Sequence, residues 1–487
     1  MTTPWRGSLA TTALSLVCLN GCSSSNDSTF NNAAATADAG KDSTTPWPDG
    51  SYFGDSGGCR GFECLQVSCD GGATTTLSGK VWDPGGINPL YNAIVYVPNG
   101  VDPVEPFPVG VSCDTCATRT TGSPVVATVT DYEGKFVLAN IPIIAAGLPL
   151  VIQVGKWRRQ VTIPNVRACT SNDITTTQKD LTRLPKNQSE GDIPRIAIAT
   201  GNADPFECLL KKIGIATTEF TIPSGTGRIH YYQAAGGTTL TRTSTPPGED
   251  LWEPAAPHLG GIDKLKTYDI VLLPCEGAEH RENKLATGRD AVVKYANAGG
   301  RVFVTHYGYE WLAHSASGST STPPWVSTGT WHDPIDPPDG TVSASDLRAT
   351  IDRTFPKGIA FAQWLGGVGA LTTTGHLLID EARNNLDATT TTTSRTWIRA
   401  PNNQSKQVVM HMTFNTPIGV PETTQCGKVV YSDFHVTTTA LDTNLGLYFP
   451  EICKSEPMSP QEKALEFMLF DLSACVQNDA DPPVPPR

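Results

Sequence analysis

The sequence predicts a multidomain fold in which an N-terminal all-β sandwich is followed by a three-layer α/β domain with a mostly parallel sheet. Short alternating apolar runs separated by turn residues extend from Thr74 to Ile163, a spacing typical of sandwiches. Beyond residue 186, continuous apolar runs alternate with helical segments, which is typical of a parallel sheet covered on both faces. The chain of 487 residues is long enough for each domain to bury its own core.

The composition indicates an exported protein. Charged residues make up only 17% of the chain, and its polarity comes largely from Thr, Ser, Asn and Gly. Lys and Arg number 36 against 48 Asp and Glu, which gives a net charge of -12. Because phosphate backbones are bound mainly by clustered cations, we expect no nucleic-acid partner.

Residues 1–22 predict a lipoprotein signal peptide. A single charge at Arg6 precedes an apolar stretch that is too short to span a bilayer as a helix. The stretch ends in Leu-Asn-Gly-Cys22, which resembles the bacterial lipobox. This resemblance implies lipidation of Cys22 and a membrane partner reached through a lipid anchor. We expect a cell-envelope location, either on the outer membrane or periplasmic and surface-exposed. An ordinary secretory signal cleaved nearby is the alternative.

Two polar segments are predicted to be disordered. Residues 23–58 form a tether rich in Ser, Thr, Asn and Ala, and residues 477–487 form a tail rich in Asp and Pro. Neither composition favours burial of apolar surface.

The cysteines predict disulfides. Removal of Cys18 with the signal and use of Cys22 as an anchor leave 11 of the 13 cysteines. Most should pair in an oxidising compartment, with Cys475 joined to Cys453 or Cys426, and one thiol must stay unpaired. Cys275 is our candidate for that thiol. The disulfide candidates are Cys59, Cys64, Cys69, Cys113, Cys116, Cys426, Cys453 and Cys475.

Residues 59–185 carry the predicted sandwich. The motifs Ser78-Gly79, Asn92-Ala93 and Thr130-Asp131-x-x-Gly134-x-Phe136 resemble the carboxypeptidase regulatory-like domain, a transthyretin-like sandwich. The resemblance implies that Gly134 serves a hairpin turn and that Phe136 lies in the core. It also implies a non-catalytic spacer or binding module rather than a peptidase.

Residues 186–476 carry the predicted α/β domain. Asp204-Pro205 should cap and start a helix through Ile213, and Ser459-Pro460-Gln-Glu462 is a capping box that starts a terminal helix. Buried strands are predicted at 194–200, 268–274, 301–305 and 427–435.

The strand termini of this domain resemble the class I glutamine amidotransferase-like fold, particularly its trehalose-utilisation-type branch. The resemblance lies in Tyr268-Asp269 before an apolar strand, in Gly299-Gly300 before the strand that ends at His306, and in a late strand ending at His435. It implies a flavodoxin- or amidotransferase-like sheet with an insertion at 309–404. The insertion is rich in tryptophan, which we expect to pin it to the core.

The amidotransferase reaction itself is not expected. That family needs a cysteine or serine on a tight strand-to-helix elbow, and the matching stretch Val304–Gly308 has no thiol. The common nucleotide-binding, serine hydrolase and metalloprotease motifs are also missing from the sequence. We therefore lean towards a protein without enzymatic activity.

Ligands of open α/β sheets bind at the carboxyl ends of the strands. That rule predicts convergence of six residues: Cys275, Glu276, His306, Tyr307, Asp433 and His435.

Three uses of these residues stay open. Cys275 could be a nucleophile with His306 or His435 as its base, although a buried thiol or half a disulfide fits equally well. A divalent metal could be held by His306, His435 and Glu276, which the lack of any H-x-x-x-H pattern disfavours. A polar pocket for a carbohydrate or other small molecule is the third use.

Our leading hypothesis from the sequence is a non-catalytic, lipid-anchored envelope protein that binds a small ligand or carbohydrate at these strand ends, without a cofactor. An envelope hydrolase that uses Cys275 or a metal at His306 and His435 is the first alternative. A purely structural envelope protein is the second.

Overall fold

A computed structural model describes residues 58–116, 120–240, 244–254, 261–313, 323–331, 347–437, 440–442 and 448–485. The predicted signal peptide, its Cys22 and nearly all of the tether lie outside these residues. Within the described residues, no helix is both long and apolar enough to cross a bilayer.

The first part of the described chain forms two small sheets, with strand orders β4-β1-β7 and β3-β2-β5-β6. The strands are β1 (Thr76–Lys80), β2 (Ile94–Val97), β3 (Val126–Val129), β4 (Lys135–Ala139), β5 (Leu148–Val154), β6 (Trp157–Ile163) and β7 (Ser171–Asp173). Gly134 has a φ of 73° in the turn before β4, and Phe136 on β4 is buried. Both residues therefore take the positions expected from the sequence.

The rest of the chain is built around a ten-stranded sheet of order β16-β15-β18-β19-β20-β13-β12-β8-β10-β9. Its strands are β8 (Ile196–Thr200), β9 (Phe220–Thr221), β10 (Ile229–Gln233), β12 (Ile270–Leu273), β13 (Arg301–Thr305), β15 (Leu347–Ile351), β16 (Leu377–Ile379), β18 (Arg395–Pro401), β19 (Gln407–Thr416) and β20 (Gly427–Ser432). Neighbouring strands from β20 to β9 are parallel, whereas those from β16 to β20 are antiparallel. The predicted mixture of α and β structure is confirmed.

Two short strand pairs and several helices complete the architecture. The additional strands are β11 (Thr239–Leu240), β14 (Gly329–Trp331), β17 (Leu386–Thr389) and β21 (Tyr448–Phe449). The α-helices are α1 (Phe206–Lys212), α2 (Glu249–Trp252), α3 (Gly261–Leu265), α4 (Ala286–Asn297), α5 (Pro356–Gly367) and α6 (Pro460–Ser473). The 3₁₀ helices span Gly61–Leu65, Asp70–Gly72, Thr217–Glu219, Arg281–Asn283, His306–Trp311, Val326–Thr328 and Glu422–Thr424.

The predicted insertion at 309–404 contributes to the sheet. Strands β15, β16 and β18 form one side of it, and α5 is a 12-residue helix within the same segment. Trp311, Trp325 and Trp364 are buried, as expected for tryptophans that pin this segment to the core.

The two predicted domains share one core in the structure. Residues from Gly58 onwards form one compact unit, and a single apolar cluster joins residues of both segments. The ring of Trp157 on β6 lies 5.9 Å from that of Phe470 on α6, and the Lys156 ammonium lies 2.5 Å from the Asp269 carboxylate. The boundary between 185 and 186 stays a prediction.

Five disulfides join the described cysteines: Cys59–Cys64, Cys69–Cys169, Cys113–Cys426, Cys116–Cys475 and Cys208–Cys453. The expected pairing of Cys475 with Cys453 or Cys426 is wrong, because Cys475 pairs with Cys116. Cys169 and Cys208 were not among the predicted disulfide cysteines. Cys275 is the unpaired thiol in the described part of the chain, and it is buried.

The segment after α6 is not the disordered tail that its composition predicts. Asp479 is buried and accepts hydrogen bonds from Lys357 at 3.0 Å and from Lys428 at 2.8 Å. Both lysines also contact Asp471 on α6, so two cations and two anions form a buried network. Buried charges persist only when they are paired in this way, so the network holds the tail against the sheet.

Removing one member of this network should destabilise the protein strongly. We expect Asp479→Asn to lower the free energy of unfolding by about 3–5 kcal/mol, since two buried ammonium groups would then share one carboxylate. Urea unfolding with disulfides intact measures this change. Asp481→Asn, two residues further on at an exposed position, is the matched control and should change stability by less than about 0.5 kcal/mol. Equal effects of the two substitutions would contradict the role of the network.

A second prediction concerns Glu207, a fully buried carboxyl group on α1 that accepts a hydrogen bond from Thr238. Burial raises the pKa of Glu207 from 4.5 to about 7. The native state therefore binds more protons than the unfolded state between these values, and stability falls as the pH rises through this window.

Glu207→Gln removes this dependence. We expect the wild-type free energy of unfolding to lose about 2–3 kcal/mol more than that of the variant between pH 4.5 and pH 8. Urea unfolding of both proteins across this range measures the difference. Parallel pH profiles would show that Glu207 does not titrate in this window.

Candidate functional site

The candidate site lies at the carboxyl ends of four adjacent strands, β8, β12, β13 and β20. The turns after three of them carry Cys275, His306 and His435, as the sequence predicts. The sulfur of Cys275 and one ring nitrogen of each histidine all lie within 4.8 Å of one another, and the three side chains are buried. We call these three residues the strand-end cluster.

The closest contact in the cluster joins Cys275 and His306. The Cys275 Sγ lies 3.1 Å from His306 Nδ1, and the backbone N–H of Gly277 donates to the same sulfur at 3.4 Å. Burial raises the pKa of Cys275 to about 12 and lowers the pKa of His306 well below its usual range. A neutral thiol therefore faces a neutral imidazole near pH 7.

His435 adds an uncompensated nitrogen. Its Nδ1 is buried and has no hydrogen-bond partner in the described part of the chain, although Glu381 Oε2 lies 3.7 Å away. Burial, with a smaller contribution from the positive charge of Arg383, lowers the pKa of His435 to about 3. A buried polar atom without a hydrogen-bond partner is unfavourable, whichever tautomer the imidazole adopts.

His306 occupies the elbow where the sequence lacks a nucleophile. Its φ of 38° places a non-glycine residue in the left-handed region, at the first position of the 3₁₀ helix that directly follows β13. Such a conformation is costly and is concentrated at functional sites. The half-buried Tyr307 packs with its ring centroid 3.9 Å from that of His306 and lies beside the cluster.

Asp204, which the sequence analysis assigned to a helix cap, instead supports the cluster. Pro205 is the residue that precedes α1, and the buried Asp204 carboxyl group faces the strand ends. Its Oδ1 accepts from the N–H of Val436 at 2.8 Å, and its Oδ2 accepts from the Thr305 hydroxyl. That hydroxyl in turn accepts from the N–H of Cys275 at 2.9 Å. One carboxyl group thus connects the turns that carry all three cluster residues.

Glu276 does not join the cluster, contrary to the expectation that it would. It forms an ion pair with Lys284 at 2.6 Å and accepts a hydrogen bond from the N–H of Ala235. Lys284 and the N–H of Ala235 therefore compensate the charge of Glu276. Glu276 is not one of the residues that could ligate a metal at the cluster, although the sequence predicts it as one.

Asp433 is likewise engaged elsewhere. Its Oδ2 accepts from the N–H groups of Asn385 and Leu386, and its Oδ1 accepts from the Tyr431 hydroxyl at 2.8 Å. These contacts fix the segment after β16 against the end of β20, so Asp433 shapes the site without being one of its ligand donors.

The cluster presents one sulfur and two imidazole nitrogens in a buried site. This donor set suits borderline and soft transition metals, since thiolate and imidazole are the ligands that zinc and copper prefer. It suits a thiol nucleophile less well, because catalysis by cysteine requires a lowered thiol pKa and burial raises it here.

The chain matches no known family model and no curated protein sequence. Among solved structures, a cytoplasmic protein from Salmonella typhimurium aligns with 11% identity and a TM-score of 0.31. The alignment covers 57% of this chain and 98% of that protein. A likeness at this level carries no conclusion about fold or function.

Proposed function

We propose that this protein holds a single zinc-type metal ion at the strand-end cluster. The observation that carries the proposal is the placement of three ligand atoms, from Cys275, His306 and His435, within 4.8 Å of one another. The ligand atoms of a tetrahedral zinc ion lie about 3.3–3.6 Å apart, so the more distant of these atoms must approach one another by up to about 1 Å through rotation of their side chains.

Two further features favour a metal over a bare polar pocket. Both histidines are held neutral by burial, and the neutral imidazole is the form that ligates metals. The Nδ1 of His435 is buried without a hydrogen bond from any described residue, and a metal or an ordered water at the site would give the imidazole a partner. A coordinated Cys275 would lose its proton to solvent, because metal binding deprotonates the thiol.

Three protein ligands leave one position of a tetrahedral metal open. In zinc enzymes such a position holds a water molecule that the metal activates for hydrolysis. We therefore propose that the ligand expected at these strand ends, a carbohydrate or other small molecule, is a substrate that reaches the open position. This places the hydrolase alternative ahead of the non-catalytic one.

Metal titration tests the proposal. We expect the purified full chain to bind one equivalent of Co²⁺, giving tetrahedral d–d absorption and a thiolate-to-cobalt charge-transfer band in the near ultraviolet. Zn²⁺ should displace the Co²⁺. Cys275→Ser should abolish the charge-transfer band, and His435→Ala should weaken binding by at least about tenfold, since each removes a ligand.

His376→Ala provides the control for the titration. His376 is half-buried, its Nδ1 contacts the Thr374 hydroxyl at 3.0 Å, and it lies outside the cluster, so its loss should leave Co²⁺ binding unchanged. Retention of the charge-transfer band in Cys275→Ser, or no Co²⁺ binding by a folded wild-type protein, would refute the proposed site.

We also propose that the protein is exported and anchored to the cell envelope through Cys22. Five disulfides among the described cysteines support an oxidising compartment, where such bonds form and persist. The same proposal includes the assignment of two domains. The first is similar in sequence to a carboxypeptidase regulatory-like domain, and the second is similar to an amidotransferase-like domain. In this proposal, the first domain is a non-catalytic spacer or binding module.

Labelling tests the anchor. When the full chain is made in a bacterial host with labelled palmitate, we expect incorporation of the label and partition of the protein into a detergent phase, since stable anchoring needs more than one acyl chain. Cys22→Ala should lose both properties. Export of an unlabelled wild-type protein would instead indicate an ordinary cleaved signal.

A further inference from the structure

A cavity lies away from the strand-end cluster. It has a volume of about 830 Å³, within the usual range of small-molecule sites of roughly 300–1,000 Å³. Its walls come from the end of β1 and the following turn, the ends of α1 and α5, and the segment 454–458. No residue of the strand-end cluster lines it. We call it the lysine cleft.

The lysine cleft concentrates positive charge in a chain whose net charge is -12. Five lysines and a single glutamate line it. The Lys212 ammonium is neutralised by Glu462 at 2.7 Å, whereas those of Lys211 and Lys463 donate to backbone carbonyl groups and form no ion pair with a described residue. Carbonyl contacts satisfy hydrogen bonds but leave the charge uncompensated, so the cleft attracts anions.

Two ammonium groups in the cleft remain available to a ligand. Lys80 Nζ lies 5.0 Å from the centroid of the Trp82 ring, and Lys454 makes no side-chain hydrogen bond or ion pair with a described residue. Neither side chain is fully buried. They can therefore turn towards an anionic group at little cost in packing.

The remaining wall is apolar and irregular. Ile87 is 61% exposed at its edge, and Val368, Pro457 and Met458 line it further along. A flexible thioether such as that of Met458 adapts to varied aliphatic shapes. The Trp82 ring offers little stacking surface, because Lys179 lies only 4.1 Å from its centroid. Such a wall favours a flexible aliphatic chain over a planar ring.

We infer that the lysine cleft binds an amphiphilic carboxylate of the fatty-acid type, with the carboxylate between Lys80 and Lys454 and the aliphatic chain along Ile87 and Met458. Charge complementarity selects the anionic head group, and burial of the chain supplies the affinity. This site is independent of the proposed metal centre.

Calorimetric titration with laurate, below its micelle concentration, tests the inference on the full chain. We expect saturable binding of one laurate that weakens as salt is raised. Dodecyltrimethylammonium, with the same chain length and opposite charge, should not bind. Lys454→Glu should weaken laurate binding by about tenfold, and Ile87→Asp, at an exposed position, by about fivefold.

Lys266→Glu is the matched control, because it makes the same charge change at an exposed lysine outside the cleft and should leave laurate affinity unchanged. Equal binding of laurate and the cationic amphiphile, or equal weakening by Lys266→Glu and Lys454→Glu, would overturn the inference. So would an absence of laurate binding. Binding to phosphatidylglycerol vesicles without binding of monomeric laurate would identify a membrane-surface site and would also overturn it.

Discussion

The buried carboxyl group of Asp204 is the constraint on which the strand-end cluster depends. The cluster residues lie in three separate turns, and each turn alone would leave its side chain free to adopt several orientations. Asp204 accepts a hydrogen bond from the turn after β20 and another from Thr305, which holds the N–H of Cys275. A site for metal or substrate needs its ligands fixed to within about 0.5 Å, and this shared acceptor provides such restraint.

The position of the strand-end cluster in the fold could be predicted from the sequence, but the set of residues that form it could not. Continuous apolar runs identify buried parallel strands, and the rule that ligands bind at their carboxyl ends selects the edge of the sheet where Cys275, His306 and His435 converge. Glu276 and Asp433 lie at that edge as well. Their partners, Lys284 and the N–H of Asn385, come from segments whose approach depends on the tertiary packing. Asp204 was missed because Asp-Pro before a helix is also a typical helix start.

The composition of a segment gives a wrong prediction where charged residues distant in the chain determine its structure. The last residues are rich in Asp and Pro, which favours disorder in isolation. Asp479 nevertheless meets Lys357 and Lys428, which lie 122 and 51 positions earlier in the chain. Three strands of the predicted insertion also extend the main sheet. Strand β18 pairs antiparallel with β19, so the hydrogen bonding of the sheet continues beyond its parallel strands. For the last residues, the deciding partners are remote in sequence.

The two disulfides that join Cys113 and Cys116 to distant cysteines limit the order in which the bonds of this protein can form. They join cysteines 313 and 359 positions apart, so neither can form until nearly the whole chain is present. An enzyme that oxidises cysteines in the order of their emergence would first meet Cys113 and Cys116 with only each other or earlier cysteines as partners. The native pairing therefore requires either late oxidation or isomerisation of an early bond. Folding of this protein thus depends on thiol–disulfide exchange.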